Sequence, residues 1–215
     1  MKNKIYIALV ALAVAPILGF SQIDLIPTVG YNFGAKMPIY GGELKIKGAT
    51  TYGVKLDFHP DPSMAIQFMY TNTQSSITIT DYYYPGGGIQ NHNFSDVSEN
   101  YFLLGGLRYL NEGQIQAYGN FNLGMAYYNI NNVDEYYDKY VQSDAYRFAI
   151  GFGLGAKAMI SERIGLDFHI RALAPIQWGG LGIGVGTGGA SAGAYVGSSF
   201  ISGDVGGGLV IRLGE

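Results

Sequence analysis

The sequence predicts an all-β chain that closes into an antiparallel up-and-down transmembrane β-barrel of eight strands. The first observation is a strict alternation of side chains at residues 164–171, where large apolar residues occupy every second position and Asp167, His169 and Arg171 lie between them. A strand directs alternate side chains to opposite faces, so this segment has one apolar and one polar face. The second observation is that short and long connections alternate between such segments. The third is that no stretch of about 20 apolar residues follows the N-terminal region, so a membrane would be crossed by strands.

Residues 1–21 have the features of a secretory signal peptide. Two lysines precede an apolar run from Ile5 to Phe20, and the small residues Gly19 and Ser21 fit the cleavage rule. The run has about 16 residues, whereas a transmembrane helix needs about 20. The chain contains no cysteine, which excludes a lipid-modified N-terminus and a disulfide framework. We therefore expect a cleaved signal peptide and one outer-membrane β-barrel domain over residues 22–215.

Charged residues are scarce in this chain, and glycine and tyrosine are abundant. Charged residues make up 13% of the sequence, which also has 33 glycines and 18 tyrosines. In an average soluble protein, charged residues make up about a quarter. Without Lys2 and Lys4 the chain has 11 basic and 16 acidic residues, a net charge of −5. This balance excludes a nucleic-acid-binding protein, and the composition suits a barrel between lipid and two aqueous interfaces.

Eight segments show the period-two pattern, and they reach or exceed the 9–11 residues that a tilted strand needs to cross the hydrocarbon. They are Ile23–Phe33, Thr50–Phe58, Met64–Gln74, Asn100–Leu110, Ile115–Ile130, Asp144–Ile160, Ile164–Ile176 and Phe200–Leu213. Short connections follow the second, fourth and sixth segments, and long ones follow the other segments. This rhythm is typical of a barrel whose rims face different compartments. A hairpin through Leu181, Ile183 and Val185 would raise the strand count to ten.

The alternation assigns one face of each segment to lipid. In the fourth segment we expect Tyr101, Leu103, Leu107 and Tyr109 to face lipid and Arg108 to face the lumen. The lipid-facing residues of the other segments include Tyr52, Val54, Leu56, Phe58, Met64, Ile66, Phe68, Phe121, Leu123, Met125, Phe148, Ile150, Phe152, Leu154, Leu209 and Ile211. Tyrosines near strand ends prefer the membrane interface. The predicted outer girdle is Tyr31, Tyr70, Tyr101, Tyr127 and Tyr146.

The opposite faces collect charged side chains. The predicted lumen network is Asp24, Lys55, Asp57, Arg108, Arg147, Lys157, Asp167, His169, Arg171, Asp204 and Arg212. Buried charges are costly unless they are paired, and in a narrow eight-stranded barrel they can pair across the lumen and fill it. We therefore expect a plugged interior, with inward glycines of the sixth and eighth segments making room for long arginines. His169 is either a proton-responsive group or a member of the lumen's hydrogen bonds.

The end of the chain carries the most specific family feature. Gly208, Ile211 and Leu213 are spaced like the assembly signal of membrane barrels, although Gly206 replaces a usual polar residue and two residues follow Leu213. With this signal and its strand pattern, the chain resembles the small eight-stranded outer-membrane barrels of Gram-negative bacteria, of the outer-membrane protein A and X type, and the PorT-like barrel group. The resemblance implies a location in the cell outer membrane. It also implies contacts with outer-membrane lipid, lipopolysaccharide and the barrel-assembly machinery.

Three patterns in the sequence invite catalytic, nucleotide or metal interpretations. Residues 184–189 contain the GxGxxG spacing, but a nucleotide site needs a preceding strand and a following helix. The acidic loop Asn131–Asp138 lacks the spacing of a calcium loop. His59 is expected in a short turn, and His92, Ser95 and Asp96 would form a catalytic set only if folding happened to bring them together. We expect no enzyme activity, no cofactor and no metal site.

The function expected from the sequence is that of a structural or partner-binding barrel. The long loop Asp81–Phe94 begins with Tyr82, Tyr83 and Tyr84 after Asp81, followed by Pro85 and glycines. Tyrosine supplies a large contact area at a low entropic cost, which suits recognition. The alternatives are a small-solute pore or transport barrel, a lipid-modifying outer-membrane enzyme, and a soluble exported sandwich.

Overall fold

The computed structural model describes residues 22–39, 42–84, 88–131, 144–178, 182–186, 189–193, 196–198 and 201–214. The predicted signal peptide, residues 1–21, lies outside the described residues. The strands are β1 (Gln22–Asn32), β2 (Ala35–Ile39), β3 (Gly42–Ile46), β4 (Ala49–Asp61), β5 (Met64–Tyr84), β6 (Gly88–Tyr109), β7 (Ile115–Asn131), β8 (Asp144–Met159), β9 (Ile164–Trp178), β10 (Gly182–Gly186), β11 (Gly189–Gly193), β12 (Val196–Ser198) and β13 (Ser202–Leu213). No helix of the described ranges is long and apolar enough to span a bilayer.

Eight strands close into an antiparallel barrel, which confirms the predicted fold class. The order around the wall is β1, β4, β5, β6, β7, β8, β9 and β13, and β13 pairs with β1 to complete the ring. Closure leaves no unpaired strand edge, as a protein wall within lipid requires. The hairpin considered at Ile183 and Val185 is present as β10 and β11, but within the described residues it forms a separate two-stranded sheet, so the barrel wall has eight strands.

The two rims of the barrel differ. The inner rim carries the short turns after β4, β6 and β8, together with the start of β1 and the end of β13. Asp61 accepts hydrogen bonds from the backbone N (2.8 Å) and Oγ (2.6 Å) of Ser63, and these bonds lower the pKa of its carboxyl group. In the next turn Asn111 accepts from the backbone N of Ala117 at 2.7 Å, and Gly113 adopts a φ of 123° that favours glycine. The outer rim carries the long connections.

The outer rim bears a projecting sheet, which we define as β2, β3, residues 75–84 of β5 and residues 88–98 of β6. The β5–β6 pairing continues from Met64 and Arg108 up to Tyr84 and Gly88, with irregularities after Ile77 and after Asp81. β3 pairs with β5 between Gly42 and Ile46, and β2 pairs with β3. Described residues of the first two predicted long loops, Gly34–Ala49 and Ser75–Glu99, therefore extend the barrel wall as strands.

The outward face of the barrel is apolar. On the barrel strands other than β6, the residues that face outward are those that the alternation predicts. Examples of its exposed side chains are Leu154, Phe168 and Ile170, at 67%, 59% and 65% exposure. An apolar face of this extent on a closed barrel is typical of a protein wall in contact with lipid. Of the predicted girdle, Tyr31 and Tyr146 are exposed, and Tyr127 stacks on Tyr146 with ring centroids 4.7 Å apart.

The face prediction for β6 is wrong. Tyr101, Leu103, Leu107 and Tyr109 point into the lumen and are buried, whereas Phe102, Leu104 and Arg108 point outward. Both faces of this strand carry apolar residues, so the alternation alone does not distinguish them. Tyr101 therefore leaves the predicted girdle and joins the core of the barrel.

Candidate functional site

The inner half of the lumen is organised around the ammonium group of Lys157. Its Nζ lies 3.0 Å from Asp24 Oδ2 and 2.7 Å from Asp57 Oδ2, and all three side chains have 0% exposure. Arg212 also pairs with Asp24, with Nε 3.0 Å from Oδ1. Because β1, β4, β8 and β13 each supply one of these residues, the ion pairs join both sides of the ring.

A second group of ion pairs lies around Asp167. Its Oδ2 accepts from Lys55 Nζ at 2.5 Å and lies 2.8 Å from His169 Nδ1. Its Oδ1 accepts a hydrogen bond from the hydroxyl of Tyr118 at 2.7 Å. This carboxylate therefore has a cation, a phenol and an imidazole as partners, which compensates for its removal from water.

The remaining buried arginine of the lumen pairs with the last strand. Arg171 Nε donates to both carboxylate oxygens of Asp204, at 2.9 and 3.1 Å, and Nη1 lies 2.8 Å from Met69 Sδ. His169 Nε2 is 3.8 Å from Asp204 Oδ1, too far for a hydrogen bond. His169 is therefore a member of the lumen's hydrogen-bond network through its contact with Asp167.

Gln67 extends the network by hydrogen bonds through its side-chain amide. Its Nε2 donates to Asp57 Oδ1 at 2.8 Å, and its Oε1 accepts from Asn120 at 2.6 Å and from Asn122 at 3.3 Å. These residues lie on the inward faces of β4, β5 and β7. The amides therefore bridge strands on one side of the lumen, where they occupy space between the ion pairs.

Above the charged layer the lumen is filled by an apolar cluster. Its buried members are Ile46, Met69, Ile77, Val97, Tyr101, Leu103, Ala126, Tyr128, Ala149 and Leu173. The hydroxyl groups of Tyr101 and Tyr128 lie 2.7 Å apart, so the two phenols satisfy each other within this apolar region. The charged layer and the apolar cluster together occupy successive levels of the lumen.

Inward glycines make room for large side chains, as the sequence predicts for the sixth segment. A Cβ at Gly153 would lie 3.2 Å from Arg171 Cγ, and a Cβ at Gly155 would collide with the ring of Tyr118. In β13 a Cβ at Gly206 would lie 3.0 Å from His169 Nε2. The narrow lumen holds its long side chains because these wall positions have none.

Two predicted members of the lumen network lie outside its ion pairs. Arg108 is exposed on the outer face, so its assignment to the lumen is wrong. It lies near the inner rim, where a long cationic side chain can reach the headgroups. Arg147 lies near the outer rim on the inward face, is partly exposed, and donates from Nη1 to the backbone oxygen of Tyr146 at 2.9 Å. Neither residue takes part in the ion pairs described above.

His59 is a lumen residue that the sequence analysis misplaced. It was expected in a turn, but it lies in β4 at 6% exposure, with Nε2 3.1 Å from the hydroxyl of Tyr109 and 3.7 Å from Asp24 Oδ2. The prolines at 60 and 62 suggested an earlier turn. The two-residue spacing indicates its true position, because His59 follows the inward-facing Lys55 and Asp57 at the same interval.

The exposed face of the projecting sheet carries lysines. Lys36 and Lys45 are direct partners on β2 and β3, and Lys47 follows on the same face. Lys36 Nζ lies 3.3 Å from Glu43 Oε1, and Lys47 Nζ donates to Asn93 Oδ1 at 3.2 Å. Leu44 and Ile46 point the other way and pack on the apolar cluster. The sheet is therefore anchored to the barrel core on one face, and the described part of the other face presents three lysines with Glu43 and Asp96.

The remaining sequence features have varied outcomes. The predicted contact residues Tyr82, Tyr83 and Tyr84 lie at the outer end of β5. The GxGxxG spacing begins in β10 and ends in β11, so its described residues do not form the strand and helix of a nucleotide site. Residues 132–138 of the acidic loop lie outside the described residues. The described residues contain no cluster of His, Asp and Glu suited to a metal.

The predicted assembly signal lies in β13. Gly208 occupies the inward face, whereas Ile211 and Leu213 lie on the outward face near the inner rim. The role of these residues in assembly remains a prediction.

Comparisons with known proteins support the fold. The chain is similar to the outer membrane protein OprG from Pseudomonas aeruginosa, with a TM-score of 0.61 and 10% identity, over 91% of this chain and 97% of that chain. It is also similar to Neisserial surface protein A, with a TM-score of 0.53 and 11% identity, over 90% of this chain and 97% of that chain. The outer membrane protease OmpT from Escherichia coli has a TM-score of 0.45 at 6% identity, which is too slight to carry an argument.

No protein-family model matches the chain, and no curated protein matches it significantly. At these identities the solved structures establish the fold alone. The apolar outward face supplies an independent argument, because a closed barrel that exposes such a face needs lipid around it. The chain is therefore an integral β-barrel membrane protein with the fold of small outer-membrane barrels, and its place is the outer membrane.

Proposed function

We propose that this chain is a non-enzymatic outer-membrane barrel that acts as a contact protein, binding a partner outside the cell through its projecting sheet and the neighbouring long loops. The observation that carries the proposal is the continuity of this sheet with the wall. β5 and β6 have 21 and 22 residues, whereas a tilted strand needs about 9–11 residues to cross the hydrocarbon. The excess forms a paired sheet that is already ordered before a partner binds, which lowers the entropic cost of recognition.

The filled lumen supports this proposal over a small-solute pore. Lys55, Lys157 and Arg171 each pair with a carboxylate and are at most 4% exposed. An aqueous path would have to break these pairs and leave charges without partners, which costs several kcal/mol per ion. The apolar cluster above them adds a second obstruction.

Two groups of residues could suggest an enzyme, and neither has the geometry of an active site. The pair of Asp167 and His169 resembles a base with its orienting acid, but His169 is 4% exposed and the carboxylate is already occupied by Lys55 and Tyr118. Ser95 and Asp96 are neighbours on β6, where Ser95 is buried and Asp96 is exposed on the other face. A nucleophile and its activating groups must share one accessible site.

The charge of the exposed sheet face indicates the kind of partner. On the described part of this face Lys36, Lys45 and Lys47 outnumber Glu43 and Asp96. Like charges directly opposite each other, as at Lys36 and Lys45, destabilise a strand pair, and Glu43, 3.3 Å from Lys36, supplies one carboxylate for the two cations. The sheet is therefore suited to an acidic surface of another protein or to an anionic glycan at the cell surface.

The test places a photo-crosslinking amino acid at position 45 in intact cells, with position 163 in an inner-rim turn as the matched control. We expect a discrete adduct from position 45 that disappears in the variant Lys36→Glu/Lys47→Glu and that position 163 does not form. An identical adduct pattern from both positions would contradict the proposal.

Single-channel recording of the purified protein in a planar bilayer tests the closed lumen separately, with a porin as the positive control. We expect no conductance steps. Regular steps in the wild-type protein would favour the pore.

A further inference from the structure

The lipid-facing wall of the barrel contains a groove near the inner rim. It has a volume of about 870 Å³ and extends over the outward faces of β5 to β9. Five adjacent strands span about 19 Å at the usual strand spacing. The volume falls within the range of sites that hold small organic ligands.

The groove exists because two lipid-facing positions have no side chain. A Cβ at Gly106 would meet nothing within 4 Å, and a Cβ at Gly119 would meet only Leu154 Cδ2 at 3.6 Å and a backbone oxygen at 4.0 Å. On either side of them stand exposed apolar side chains, among them Met64 and Ile66 on β5 and Leu154 on β8. The bottom of the groove is therefore bare backbone between apolar walls.

Arg108 lies at the edge of this groove. Its Cα is paired with those of Met64 and Gly119, and the next residue bonds through its backbone N to Ser63 in the inner-rim turn, at 2.9 Å. Among the outward-facing residues of the described barrel strands it is the one cation. The described structure gives its guanidinium group no hydrogen bond and no ion pair. A cation next to lipid hydrocarbon is costly unless it reaches an anionic partner at the interface.

We propose that this groove binds one anionic glycerophospholipid of the inner leaflet, with an acyl chain over Gly106 and Gly119 and the phosphate on Arg108. Guanidinium and phosphate form charge-assisted, bidentate hydrogen bonds. The inner-rim position of Arg108 is the level at which the headgroups of that leaflet lie. The acyl chain fills the space that the two glycines leave open and replaces missing wall contacts.

A second lipid-facing hollow differs from the groove because none of the described residues at its edge is a cation. It has a volume of about 450 Å³ and lies around Gly207, between residues such as Val29 and Phe168. Its outward-facing lining carries no charged side chain in the described structure. It can accommodate a chain but has no anchor for a phosphate, so we expect one retained lipid per barrel.

The experiment measures lipid retention by native mass spectrometry of the full chain, released from mild detergent doped with dioleoylphosphatidylglycerol. We expect one adduct in the wild type and about tenfold lower occupancy in Arg108→Gln, because a charge-assisted contact is lost. Gly106→Leu, whose Cβ would meet nothing within 4 Å, places a side chain in the groove and is expected to lower occupancy similarly. The matched controls are Arg163→Gln in a turn of the same rim and Ala156→Leu on the lipid-facing side outside the groove, and both should retain the adduct. Arg108→Lys should retain most of it.

Three results would overturn the proposal. One is equal occupancy in the wild type and in both test variants, which would mean nonspecific surrounding lipid. Another is a loss in only one of the two variants, because the site requires both the cation and the groove. The last is displacement of the lipid by free glycerol phosphate, which would mean that the anion binds without its chain. Migration on unheated gels identifies variants that form the folded barrel, and only these are scored.

Discussion

The central test of the lumen architecture is the removal of Lys157. Replacing Lys157 by Met keeps most of the side-chain volume and deletes the ammonium group that lies 3.0 Å from Asp24 and 2.7 Å from Asp57. Asp24 keeps Arg212 at 3.0 Å, but Asp57 keeps only the amide of Gln67 at 2.8 Å among the described contacts. One of the two carboxylates therefore loses its cation while fully buried.

The size of the effect follows from this count of partners. Breaking a buried ion pair by removing one partner costs about 3–5 kcal/mol, and because one carboxylate keeps a cation we expect about 3 kcal/mol. Adding Asp57→Asn removes the unpaired charge and keeps an oxygen that accepts from Gln67. The double variant should therefore recover about half of the loss, roughly 1.5 kcal/mol.

The assay is urea unfolding at pH 7 in phospholipid vesicles, followed by the migration of folded and unfolded barrel on unheated gels. Arg147→Met is the matched control, since Arg147 is partly exposed and takes no part in the ion pairs described here; it should change the free energy of unfolding by less than about 0.5 kcal/mol. Our reasoning would be refuted if Lys157→Met were as stable as the wild type, or if Asp57→Asn brought no recovery in that background.

The remaining predictions use the same unfolding assay. Arg171→Ala should destabilise the barrel by about 3 kcal/mol because it leaves Asp204 buried without its cation, whereas Arg108→Ala on the outer face should cost less than about 0.5 kcal/mol; equal losses would contradict the assignment of their faces. Gly155→Ala should cost about 1–3 kcal/mol because the new methyl group meets Tyr118, and Gly106→Ala, which points into open space, should be neutral; the opposite order would mean that the wall is inverted. Tyr118→Phe removes the hydroxyl that donates to Asp167 at 2.7 Å and should cost about 1–3 kcal/mol, while Tyr146→Phe at the exposed girdle should cost little. Similar values for the two tyrosines would show that the bond to Asp167 adds nothing.

The barrel strands were predictable where one face is apolar and the other polar. In β9 the inward series contains Asp167, His169 and Arg171, so the phase of the alternation is fixed by the cost of placing charges in lipid. In β6 the inward Tyr101 and Leu103 alternate with the outward Phe102 and Leu104, and within the predicted segment Asn100–Leu110 the only charge is Arg108, because the buried Glu99, which marks the inward face, precedes that segment. The prediction assumed that a charged residue faces the lumen. Because Arg108 lies close to the rim, its charge can reach water from the lipid-facing side, and the predicted phase was therefore wrong.

The pairs within the lumen were beyond the reach of the sequence. Alternation places Lys157 and Asp57 on the inward face, but which anion each cation meets depends on the stagger of the strands around the ring. The projecting sheet had a local signal, since Ile77 and Ile79 alternate with Thr78 and Thr80. The sequence analysis nevertheless predicts a long connection there, Ser75–Glu99, between the third and fourth segments.

The pairing of β1 with β13 has a consequence for how the barrel can form. The lumen's ion pairs join residues 100, 112, 133 and 188 positions apart, and contacts so distant in sequence form only after large loops have closed. Until β13 arrives, Asp24 lacks Arg212 and the sheet retains two open edges with hydrated charges between them. Hydrocarbon excludes such edges, so we expect a chain without its last strand to remain at the membrane surface. Open edges and unpaired interior charges together would then admit only the completed ring into the bilayer.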